Sequence, residues 1–122
     1  MAYLIIFFGG GLGSVCRYIL DRWLNAGVSE GDMPWGTLLA NIVACILLGL
    51  GFALISQGRM TEEARLLVLT GFCGGFSTFS TFSLEVLEIG TSTGRPATAL
   101  LYVALSLAGG LLAIWIGKTL VA

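Results

Sequence analysis

The sequence predicts an all-α integral membrane protein of four transmembrane helices, the third of them broken near Gly74 to Ser77. Three observations predict it. Of 122 residues, 57% are hydrophobic and only 11% charged, against about 25% charged in a soluble globular domain. The mean hydropathy is +0.96. A bilayer-spanning helix takes roughly 20 apolar residues, so the chain is filled by four spans as a single domain, 1–122, with short polar connections. Finally, the third apolar run contains Gly74-Gly75 and five hydroxyl residues between Gly74 and Ser83. Backbone released by such a break finds no hydrogen bonds in lipid, so it persists only where protein or a water-filled cavity covers it. A discontinuous membrane helix of this kind marks an ion or substrate site.

The first span runs from about 3 to 24. Gly9 and Gly13 form a small-xxx-small pair that invites a second helix to close contact. Arg17 lies about two turns from the aqueous end marked by Asp21 and Arg22. Two readings of it stand: an interfacial anchor whose long side chain snorkels out, or a vestibule cation that attracts anions. Met1-Ala2-Tyr3 enters apolar sequence without a basic leader, so the segment is expected to be a retained span. The second span covers about 35 to 55, after a connection punctuated by glycines and Pro34. Its strongly polar side chains are Thr37 and Asn41, one turn apart. An amide at that depth needs a partner, either another helix or water.

Thr61, followed by Glu62 and Glu63, is an expected N-cap for the third span, about 63 to 90. Phe72, Phe76, Phe79 and Phe82 recur at helical spacing and predict one drifting aromatic stripe, with Ser77, Thr78, Ser80, Thr81 and Ser83 between. Phenylalanines so spaced commonly face lipid or pack. Interleaved hydroxyls favour the other reading, in which ring edges, which are partly positive, line an anion path. Glu85 and Glu88 follow toward the exit. Pro96 opens the fourth span, about 97 to 119. There Tyr102 and Ser106 align two hydroxyls on one face, and Trp115 and Lys118 mark the far interface.

Several function classes are disfavoured. The net charge is −1 and the basic residues are dispersed, unlike a nucleic-acid surface. There is no histidine, and no catalytic or nucleotide-binding constellation, so the chain does not read as an enzyme. Cys16, Cys45 and Cys73 lack metal-ligand spacing and read as small buried residues. Topology carries a further message. Arg59, Arg65 and Lys118 fall on one side and Arg17, Arg22 and Arg95 on the other. Since Lys/Arg bias sets orientation, three against three predicts insertion both ways. Two opposed copies then meet about an axis in the membrane plane as an antiparallel homodimer.

Three blocks carry a family resemblance: Gly9-Gly10 with Gly13-Ser14 and Arg17-Tyr18, then Gly36-Thr37 with Asn41, then Gly71 through Ser83. In these the chain resembles the Fluc or CrcB family of small dual-topology fluoride channels. The resemblance implies a homodimer in a bacterial inner membrane, two fluoride pores, and a structural sodium ion at the dimer interface. By position, Phe79 and Phe82 match the pore-lining rings and Asn41 the asparagine that donates to fluoride. Ser80 and Thr81 match hydroxyls beside the rings. Gly74 and Ser77 match the break whose carbonyls hold sodium, with Ser77 where threonine is frequent. Tyr102 and Ser106 resemble a hydroxyl track. Thr37 and Glu85 are placed on the same pathway, and Arg17 in the vestibule. Fluoride is small and strongly hydrated, so such a pore needs hydrogen-bond donors in place of water. The implied activity is passive fluoride export that lowers the intracellular level.

Two other functions fit four small spans. A proton-coupled multidrug exporter needs a membrane-embedded acid in its first span, and none precedes Asp21 here. A passive assembly subunit would account for the glycines and alanines, but not for aromatic rings and hydroxyls around a broken helix.

Overall fold

The computed structural model describes residues 1–29 and 31–121; Glu30 of the first connection and Ala122 lie outside them. Helix α1 is Ala2–Leu24 and α2 is Trp35–Ser56. A third rod, α3 (62–76), starts as α-helix over Glu62–Ala64, widens to π-helix over Arg65–Cys73 and closes as α-helix over Gly74–Phe76. After two extended residues come α4, Phe79–Thr91, and α5, Pro96–Thr119. No strand occurs among the described residues. With α3 and α4 counted as one interrupted span, four segments of the described residues are long and apolar enough to cross a membrane.

Local chemistry sets the ends. The Thr61 hydroxyl accepts the Ala64 N–H at 3.2 Å, which caps α3. Pro96 occupies the first turn of α5, where its missing N–H costs nothing. The connections turn at Gly27, Gly31, Gly58 and Gly94, all with positive φ, a region that strains any residue bearing a Cβ.

Packing divides the molecule in two. Helix α1 lies along α3, while α2 and α4 gather on α5. The first contact is made backbone to backbone. A methyl placed on Gly13 would run into the Phe72 carbonyl, and one on Gly9 into the Leu67 carbonyl. Gly49 and Gly117 do the same between α2 and α5, against the backbones of Ile114 and Ile46. Such close approach is how membrane helices gain dispersion contacts where lipid offers no hydrophobic drive. Ala40, Ala44, Cys73 and Phe76 fill one core, beside Cys16 and Leu20. Met33, Leu38, Ile89, Ala99 and Tyr102 fill the other.

The expected single aromatic stripe is corrected by this arrangement. Phe72 and Phe76 stack on one another at 5.3 Å in the core beside α1. Phe79 and Phe82 form a separate pair, 6.1 Å apart, beyond the extended residues. A change of backbone conformation between positions 76 and 79 rotates the second pair onto another face.

Candidate functional site

The interruption falls at Ser77 (φ −81, ψ 157) and Thr78 (φ −151, ψ 125). Gly74 and Gly75, the expected breaking residues, are themselves helical. What ends α3 is a set of side chains that take the next turn's donors. The Ser77 N–H and hydroxyl both go back to the Cys73 carbonyl, at 2.9 and 2.7 Å. The Thr78 N–H, which would continue the helix to Gly74, is instead donated to Asn41 Oδ1 at 2.8 Å. The Thr81 N–H goes to Thr78 Oγ1 at 3.2 Å, so Thr78 serves as the N-cap of α4.

Four carbonyls, those of Gly74, Gly75, Phe76 and Ser77, thereby lose their helical partners. An orphan carbonyl in a span is costly. That of Gly75 is met from α1 by Arg17 Nε at 3.3 Å and the Ser14 hydroxyl at 3.4 Å. Among the described residues no donor reaches Gly74, Phe76 or Ser77. Asn41 holds the elbow from α2 in both directions, since its Nδ2 also donates to the Thr78 carbonyl at 3.2 Å. Its side-chain amide thus replaces a neighbouring strand. Among the described residues one Nδ2 hydrogen remains free, because the group carries two.

Beyond the elbow the character changes. The Phe82 ring meets Tyr102 edge to face, with centroids 5.0 Å apart at 73°. Tyr102 is fully buried and donates its hydroxyl to Glu85 at 3.4 Å. Thr37 is buried beside that pair. Glu85 and Glu88 line a cavity of about 300 Å³ that also touches Asn25, Asp32 and Thr93 of the connections. Across its rim Arg95 pairs with Asp32 at 2.8 Å. Phe79 is 80% exposed on the single chain. Thr81 is half-buried and Ser80 exposed, with the Ser80 hydroxyl 3.4 Å from that of Thr78. The Ser106 hydroxyl, one turn along α5 from Tyr102, is enclosed without a partner among the described residues.

The structure therefore brings together two groups of the expected residues. Asn41, Ser77, Ser80 and Thr81 surround the elbow, while Thr37, Phe82, Glu85 and Tyr102 form a second cluster toward the cavity. Gly74 borders an apolar hollow of about 200 Å³ with Ser77 and Cys73. Arg17 turns to the broken span and makes no ion pair among the described residues. Sequence reasoning did not single out Thr78, although it is the hub of the elbow. Its signal was present: Thr78 precedes Thr81 by the three residues of an N-cap bond. The Asp32–Arg95 pair had no signal, since it joins residues 63 apart.

Comparison of whole sequences shows which family the chain belongs to. Residues 4–118 match the family model described as CrcB-like protein, Camphor Resistance (CrcB). The chain belongs to the CrcB family. A CrcB relative from Thermus thermophilus, named fluoride-specific ion channel FluC, is 41% identical over 118 residues, covering 97% of this chain and 91% of its own. One from Moorella thermoacetica, named FluC 2, is 44% identical over 96% of this chain and 93% of its own. The FluC of Phocaeicola vulgatus is 40% identical over 93% of each. The chain is a multi-pass bacterial membrane protein.

Proposed function

We propose that this chain is a fluoride-specific ion channel that lets fluoride leave the cell passively. The observation that carries the reading is the near-complete coverage of relatives so named, at 40% identity and above. The site chemistry supports it. A fluoride ion shedding water needs short, strong donors, and the free Nδ2 hydrogen of Asn41 with the hydroxyls of Ser80, Thr81 and Thr37 offers them. The edges of Phe79 and Phe82 add a weak positive lining that an ion can leave again. Tyr102 and Ser106 extend the donors along α5, and Glu85 stands at the cavity end of that path.

The working unit is an antiparallel pair of chains in the bacterial inner membrane. The even split of basic residues supports it, as does the exposure of Phe79 and of the Gly74 face. A sodium ion at the pair's interface fits the donors available. The carbonyls of Gly74 and Ser77 lack hydrogen-bond partners among the described residues, and a hard cation takes oxygen ligands of that kind. Bound there, it would supply positive charge that offsets those carbonyl dipoles.

Purified protein in liposomes, followed with a fluoride electrode, tests the reading. Fluoride should run down its gradient without proton exchange, and chloride should not follow. Replacing Phe82→Ile or Asn41→Asp should remove flux from a pair that still assembles. Unaltered flux in both variants, or cation-for-proton exchange by the original chain, would refute the assignment.

A further inference from the structure

Arg17 is half-buried and is held to another span by a hydrogen bond, and its partner is a backbone oxygen rather than an acid. We propose that Arg17, assisted by Ser14, is a positioning residue for the pore: it holds the Gly75 carbonyl toward α1 and so sets the direction in which the rest of the elbow faces. The proposal rests on the channel reading above and assigns Arg17 a task other than attracting anions to a vestibule.

The geometry argues this from both sides of the contact. Four consecutive carbonyls lose their donors at the break, and they cannot all be answered in the same way. Among the described residues Gly75 alone of the four receives side-chain donors, and it receives two of them, from successive turns of one helix. Ser14 and Arg17 are three residues apart, so their side chains rise from neighbouring points on the same face of α1. A bond from a charged donor is about twice as strong as a neutral one. Behind it the backbones are already in contact, because a methyl on Gly75 would strike the Gly10 carbonyl. Turning the 75–76 peptide away from α1 would therefore break both bonds, and the neighbouring Gly74 and Ser77 carbonyls would turn with it. From Ser77 the same backbone leads in two residues to Phe79. On the far side Asn41 fixes Thr78, so the elbow is gripped from α1 and α2 at residues 75 and 78.

The substitutions that decide this follow from side-chain length. Glutamine places its Nε2 the same number of bonds from the backbone as arginine places Nε, without the charge. Methionine has matching length and no donor. In liposome flux assays at low and high ionic strength, Arg17→Met should lower fluoride flux about tenfold or more, the scale of one lost charge-assisted hydrogen bond. Arg17→Gln should recover it to within about threefold of the original chain, and Ser14→Ala should cost about two- to threefold. These ratios should persist in ~1 M salt, where the screening length shrinks to about 3 Å. If Gln is as impaired as Met, or if the deficits vanish in salt, the side chain acts by its charge and the proposal is wrong. Should Arg17→Met fail to assemble, Arg17→Gln decides alone: near-original flux supports positioning and a tenfold loss overturns it. An original chain that passes no fluoride would instead remove the channel reading itself.

Discussion

The two halves of the interrupted span are held by opposite means. Residues 62–76 press backbone to backbone on α1, where Gly9, Gly13 and Gly75 leave no room for a methyl. Residues 79–91 meet α5 through side chains, by way of Phe82 on Tyr102 and Tyr102 on Glu85. The first half is a fixed rail whose position is set by main-chain contact. The second presents rings, hydroxyls and a carboxylate whose orientation depends on the elbow between them. Rigidity and chemistry are thus assigned to different stretches of one span, and the elbow is where they are coupled.

The largest expected effect comes from cutting that coupling. Asn41→Ala strands the N–H and C=O of Thr78 together, and each buried orphan costs about 1–3 kcal/mol. A loss of about 2–6 kcal/mol is expected, read from denaturant unfolding of the purified protein. Next comes the rail itself. Gly13→Ala forces a methyl onto the Phe72 carbonyl and should cost about 1–3 kcal/mol by the same measurement. Gly74→Ala sharpens the contrast, because a methyl there meets nothing within 4 Å in the single chain. Separated chains should unfold no more easily with alanine at 74, while the proposed pairing of two copies, followed by crosslinking, should weaken. A smaller change is expected for Thr78→Ala, which removes the cap of α4 and costs about 1 kcal/mol. Least of all, breaking the half-exposed Arg95–Asp32 pair with Arg95→Ala should shift stability by about 0–1 kcal/mol, and less in high salt.

Much of the rail was legible in the sequence. Apolar length defined the spans, and Gly9 and Gly13 at four-residue spacing announced a close contact. The elbow was legible only in part. Gly74-Gly75 drew attention to the right turn, yet glycine permits a break without causing one, and both remain helical. The cause is competition for donors at Ser77, Thr78 and Asn41. That competition depends on α2 lying beside the break, 37 residues away along the chain. Arg17 shows the same limit. Its depth in α1 could be counted from the sequence, but the Gly75 carbonyl that it meets is set by tertiary packing.

Thr78's two-way attachment to Asn41 also restricts how such a protein could be retuned. Position 41 must offer one acceptor and one donor in a single planar group, and glutamine, the other side chain with that chemistry, is a methylene too long for the gap. On the proposed pore, changes in ion preference would fall instead to neighbours of the amide such as Ser80 and Thr81, which can change without unfastening the joint.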